Sequence, residues 1–173
     1  NTASQTYTIT LDSLERLEHY AWLKAAFFNP SELKPGKPRE EVTREAAARI
    51  GNLARSLHER GEEPARGAHF LVQLLFCLFA EDVGLLPRGL FGRTLEGASR
   101  NPEGFTGRIT ALLSAMRDGG FFGADDIARF NGGLFATIDP APMTAAEIGE
   151  LARAARLDWG NVEPAIFGTL FER

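Results

Sequence analysis

The run His69-Phe70-Leu71-Val72-Gln73-Leu74-Leu75-Phe76-Cys77-Leu78-Phe79-Ala80, closed by Glu81-Asp82, decides how the rest of the chain is read. It is apolar nearly all round. At about 13 residues it falls short of the roughly 30 Å of bilayer hydrocarbon, so no membrane partner is expected. A helix of this composition belongs inside a core, covered by neighbours on most sides. The sequence therefore predicts a mainly α fold, an irregular multi-helix bundle around a central buried helix over about residues 67–83, with at most a minor two-stranded β element.

Upstream, Val42, Ala46, Ile50, Leu53 and Leu57 form one face of a helix predicted from about Arg39 to Arg60, with Gly61 at its C-terminal end. Before it, Tyr7-Thr8-Ile9-Thr10 alternates like a short strand, so residues 1–10 read as a lead-in strand or linker. Asp12 and Glu15 have capping-box spacing, and Leu14, Leu17, Ala21 and Ala25 give a helical stripe that Asn29-Pro30 stops. Pro30, Pro35, Gly36 and Pro38 mark a loop. Downstream, Gly84 and Pro87 end the central helix. Asn101 is expected to cap a further helix, with Pro102 at its first position and Ile109, Leu112, Leu113 and Met116 facing inward until Gly119-Gly120. Phe130-Asn131-Gly132-Gly133-Leu134-Phe135 reads as a turn between aromatics, followed by a short strand through Ile138. Thr144 and Glu147 form a capping box for a helix through Ile148, Leu151 and Ala155. Trp159 then sits in a break before a last helix from about Val162.

Composition narrows the class of protein. The chain has 173 residues, 44% hydrophobic and 24% charged, enough apolar material for a folded core. Its one cysteine, Cys77, excludes an internal disulfide framework, and the first ten residues lack a secretory signal, so a cytoplasmic location is expected. The formal net charge of -4 argues against a module that binds nucleic acid by general electrostatics. Charge is unevenly spread: Lys34 to Arg66 holds eight basic and six acidic residues, and Gly119 to Arg173 four basic and eight acidic. If phosphate is touched anywhere, the candidates are Lys37, Arg44 and Arg55. The competing reading, a solvated helix face with opposite charges four apart, is favoured.

The sequence offers several imitations of active sites. Asp12 with Glu32-Leu33-Lys34 mimics a nuclease metal set, but the Glu-x-Lys lies between Pro30 and Pro35 rather than on a rigid strand. His69 and Glu81-Asp82 sit at opposite ends of one helix, about 18 Å apart at 1.5 Å per residue, too far to act as a pair. The two carboxylates occupy a helix end where the dipole disfavours negative charge, which points to a cationic partner such as an arginine. Asn131-Gly132-Gly133 lacks the strand, helix and lysine of a phosphate loop. Asp139-Pro140-Ala141-Pro142 lacks the aromatic that stacks on a flipped base. No catalytic, cofactor or metal residue is predicted.

Three stretches together resemble a known family: His69 to Asp82, Phe130 to Phe135, and Pro164-Ala165-Ile166-Phe167-Gly168-Thr169-Leu170-Phe171-Glu172-Arg173. In this order they are similar to the helical spacer of MmeI-like restriction–modification DNA methyltransferases. The resemblance implies a helical spacer domain over residues 11–173, ending where a methyltransferase domain would begin. By the same resemblance, the parent would be an S-adenosylmethionine-dependent DNA adenine methyltransferase acting on double-stranded DNA, in many members fused to a nuclease. The spacer itself would be non-catalytic, needing no cofactor of its own, and would position its neighbours. Phe130, Asn131, Phe135, Trp159, Phe167 and Phe171 are then the expected contacts to the adjacent methyltransferase domain. The alternative is a free-standing helical interaction module docking through the same aromatics. A small hydrolase centred on Glu81-Asp82 ranks last.

Overall fold

The computed structural model describes residues 39–130 and 132–162, together with His19, Tyr20, Leu23, Lys24 and Phe27. The chain divides into two compact units, Asn1–Pro38 and Arg39–Arg173. In the first, the five described residues are helical, and Phe27 is largely exposed. The lead-in strand, the Asp12 cap, the Leu14–Ala25 stripe, the Pro30–Pro38 loop and the Glu32/Lys34 set lie outside the described residues.

In the second unit, α1 spans Arg39–Glu59 and buries Val42, Ala46, Ile50, Leu53 and Leu57, the stripe that the spacing predicts. Gly61 follows with φ 79°, the left-handed conformation that ends such a helix without a Cβ penalty. The central helix α2 covers Pro64–Asp82. Glu63 caps it by accepting from the Ala65 and Arg66 N–H groups at 3.0 and 2.6 Å, with Pro64 in the first turn. Phe70, Leu74, Leu75, Cys77 and Ala80 have almost no exposure.

A helix absent from the sequence reading follows. α3, Leu90–Arg100, buries Leu90, Phe91, Thr94, Leu95 and Ala98, although it contains Gly92 and Gly97 and has no cap of its own. The residue before it, Gly89, is left-handed. Next, Asn101 makes no side-chain cap. A single 3-10 turn over Pro102–Gly104 intervenes, and α4 runs Phe105–Asp118 with Ile109, Leu112, Leu113 and Met116 inside. The helix thus starts about one turn later than expected and without a side-chain cap, while the inner face is as predicted.

The small sheet lies elsewhere than expected. Gly119 and Gly120, read only as a helix stop, take φ 79° and 121° and lead straight into β1, Gly120–Phe122. This strand pairs antiparallel with β2, Asp125–Ile127, in the register Gly120↔Ile127, Phe121↔Asp126 and Phe122↔Asp125. Gly123, at φ 64°, makes the two-residue turn. No strand forms through Ile138. After β2 come Phe130, a 3-10 turn over Gly133–Phe135 and irregular chain up to α5, Ala145–Ala154.

That irregular chain is fastened to α2 by polar side chains three and four residues apart. Arg66 donates to Asp139 Oδ1 at 2.9 Å and to the Pro140 carbonyl at 3.0 Å. His69 Nε2 lies 3.2 Å from the Thr137 carbonyl. Fully buried Gln73 donates from its amide nitrogen to the carbonyls of Leu134 at 2.9 Å and Thr137 at 2.8 Å. Its Oε1 is buried with no partner among the described residues. Beside this ladder, the rings of Phe76, Phe130 and Phe135 meet edge to face at centroid distances of 5.4 to 6.2 Å.

Candidate functional site

Thr144 and Glu147 form the predicted capping box at the start of α5. Glu147 does more than cap. Its carboxylate, nearly fully buried, accepts from Ser56 Oγ at 2.6 Å and Arg60 Nε at 3.0 Å, both at the C-terminal end of α1. Burial by itself would raise its pKa. The hydrogen bonds from Ser56 and Thr144 and the nearby Arg60 guanidinium outweigh that effect and hold it below the ordinary glutamate value. Along the same pair of helices, Arg49 bridges Glu45 at 2.9 Å and Glu150 at 2.7 Å. On the helical side, α5 buries Ile148, Leu151 and Ala154, so the inner residue of its last turn is Ala154 rather than Ala155.

The two carboxylates at the end of α2 have different partners from the one expected. Glu81 Oε2 accepts from the N–H groups of Phe91 and Gly92 at 2.8 and 3.2 Å, capping α3 from another helix. Asp82 Oδ2 accepts from the Trp159 N–H at 2.5 Å, and the Gly160 N–H also bonds to this carboxylate. The hydrogen-bonding partners are therefore backbone N–H groups at two element starts, and Arg88 acts on Asp82 through its charge. Burial raises the Asp82 pKa and the negative Asp158 adds to this, while the two N–H donors and Arg88 act against it. A cleft of about 700 Å³ opens beside these groups, lined by residues including Glu81, Asp82, Arg88 and Gly89.

Trp159 lies in a 3-10 turn, Trp159–Asn161, and is almost wholly buried. Its indole N–H donates to the Ala154 carbonyl at 2.9 Å. Phe135 is buried and Phe130 half-buried within the ring cluster. Arg44 is exposed and lies 3.6 Å from Glu40, and Arg55 is exposed. Asn131, Lys37, Phe167 and Phe171 lie outside the described residues, as does the last helix beyond Val162. Sequence reasoning overlooked the interhelix role of Ser56 and Arg60 and the capping role of Glu81. The only signal for Glu147 was its place in the box.

Chemically, the described carboxylates of this region act as caps and interhelix ties. His69 faces a carbonyl oxygen and the Gln73 amide. No group of three His, Cys, Asp or Glu among the described residues could hold a metal ion. Nor do the described residues fit S-adenosylmethionine. Its binding calls for a strand that turns through glycines into a helix, and the two three-residue strands here turn only into each other and into irregular chain. No helix among the described residues is long and apolar enough to cross a membrane.

Such an arrangement is a mainly helical unit whose elements are tied by carboxylates around one core. Residues 66–135, from the first turn of α2 to the Gly133–Phe135 turn, match the family model described as MmeI, helicase spacer domain. The resemblance is borne out over this stretch, which is similar to the MmeI spacer domain. The matched residues are less than half of the chain. No curated protein and no solved structure matches it.

Proposed function

We propose that this unit is a rigid, non-catalytic connector in an S-adenosylmethionine-dependent DNA adenine methyltransferase of the restriction–modification type, and that it holds the neighbouring domains in a fixed relation on DNA. One observation carries the reading: the carboxylates Glu81, Asp82 and Glu147 each join separate elements through hydrogen bonds. A connector must resist bending, and ties between elements give that resistance. Docking to the adjacent methyltransferase domain falls to Phe167 and Phe171, four apart at helical spacing, with Trp159 setting the approach. Phe130, Asn131 and Phe135 are further contacts to that domain. Any direct contact with double-stranded DNA falls to Lys37, Arg44 and Arg55.

The test replaces residues 39–162 in the longer parent protein by a flexible glycine–serine linker of matching reach. Cofactor binding by the parent is expected to survive while methylation of target DNA falls at least a hundredfold. Methylation at the native rate would refute the connector role. A complementary titration of the present chain with S-adenosylmethionine is expected to give no saturable heat.

A further inference from the structure

We infer that Asp82 is a positioning residue: by holding the Trp159 turn against the end of α2, it fixes the orientation of the Trp159–Val162 segment on this unit. The inference rests on the connector reading and names the group through which that function is exercised. Three anchors converge on the turn. The Trp159 and Gly160 N–H groups point at Asp82, the Trp159 indole holds the last turn of α5 through the Ala154 carbonyl, and Val162 is buried directly after. Within the turn, Asn161 Nδ2 donates to Asp158 Oδ2 at 2.7 Å, and the Val162 N–H donates to the Trp159 carbonyl at 3.2 Å.

The anchors differ in what they constrain. Val162 buries apolar surface, which is non-directional, and the indole N–H fixes the ring to the Ala154 carbonyl without holding the main chain of the turn. The Trp159 main-chain N–H bonded to the Asp82 carboxylate imposes an angle as well as a distance on the turn itself. Without Asp82 the turn would stay attached and lose its aim. The charge itself is unfavourably placed, at a helix C-terminus and near Asp158, so its contribution is geometric rather than stabilising. Its neighbour Glu81 does the corresponding task for α3, so two consecutive residues at the end of the central helix orient two different elements.

Residue-resolved amide hydrogen exchange on the 173-residue chain tests the claim. In Asp82→Ala, exchange at Trp159 and Gly160 should rise at least tenfold, while Phe70 to Ala80 keep their protection. Asp82→Asn, which keeps an acceptor oxygen, should restore most of the protection, and Glu81→Ala should affect Phe91 and Gly92 instead. Unchanged exchange at Trp159 and Gly160, or a uniform rise at all amides in both Asp82 variants, would overturn the assignment. In the parent protein, Asp82→Ala should broaden the interdomain distance distribution measured between spin labels. If exchange responds while the distances do not, the clasp stands and the connector reading fails.

Discussion

Replacing Glu147 by alanine removes four hydrogen bonds in one step: those from Ser56 Oγ, Arg60 Nε, the Thr144 N–H and Thr144 Oγ1. Their contributions differ. Arg60 is one-third exposed, so its ion pair is screened and adds no more than about 1 kcal/mol. A hydroxyl bonded to a buried carboxylate contributes about 1.5–3 kcal/mol. The half of the capping box that is lost adds about 1 kcal/mol. These terms share one carboxylate and do not sum, so the expected loss is about 3 kcal/mol. Glu147→Gln keeps one acceptor oxygen and should cost about half as much. Urea denaturation at constant m-value measures both, and a cycle with Ser56→Ala should return a coupling of about 1 kcal/mol. The pH dependence has a definite sign. The folded pKa of Glu147 is lowered, so its stabilisation is present above the ordinary value of 4.5 and disappears as pH falls through the folded value. The gap between the native chain and Glu147→Gln should therefore close in acid. A loss below about 0.5 kcal/mol for Glu147→Ala with no coupling to Ser56 would refute the view that this carboxylate ties α1 to α5.

Asp82 should titrate with the opposite sign: its raised pKa means stability falls as pH rises from the ordinary carboxylate value through the folded one, and Asp82→Asn should remove that slope in pH-dependent melting. Gly119→Ala, at φ 79° and with a Cβ that would lie 3.4 Å from Arg129 Cβ, should lower stability by about 1 kcal/mol or more, whereas Gly107→Ala, with open space in α4, should raise it by about 0.5–1 kcal/mol; thermal melts distinguish them. Burial, and secondarily the charge of Glu81, push the Cys77 thiol far up, so a thiol reagent should label it only at the rate of unfolding, and rapid labelling of the native chain would contradict its burial. DNA affinity should be weak and should decline steeply with salt, and tight binding at physiological salt that survives Arg44→Glu and Arg55→Glu would show that the charge argument fails.

Legibility in the sequence followed the range of the interactions. The α1 stripe and the Thr144–Glu147 box are set within a few turns, and both appear as read. α3 was invisible because its cap comes from Glu81, outside the helix, and because Gly92 and Gly97 weaken its helical signal. The hairpin was missed because a Gly-Gly pair after a helix looks like a stop whether or not a strand follows. At the site, Trp159 showed as a break in periodicity. Its partner Asp82 is 77 residues away, and no spacing rule reaches that far. A cationic partner for Glu81-Asp82 was a sound electrostatic inference: Arg88 acts on Asp82 through its charge, while backbone N–H groups supply the hydrogen bonds.

The amide of Gln73 has a consequence for which sequences this scaffold admits. A single nitrogen inside the protein serves two carbonyls, of Leu134 and Thr137, on a stretch with no regular structure to hold it. Glutamate, equal in size, would set lone pairs against lone pairs. Leucine or methionine would leave the Leu134 carbonyl without this donor, at about 1–3 kcal/mol, and the Thr137 carbonyl with His69 alone. A selection for folded variants randomised at position 73 should therefore return glutamine far above any other residue, while its equally buried neighbour Leu74 exchanges with isoleucine or methionine. Position 73 works as a chemical filter on the sequence, set by donor count rather than by volume.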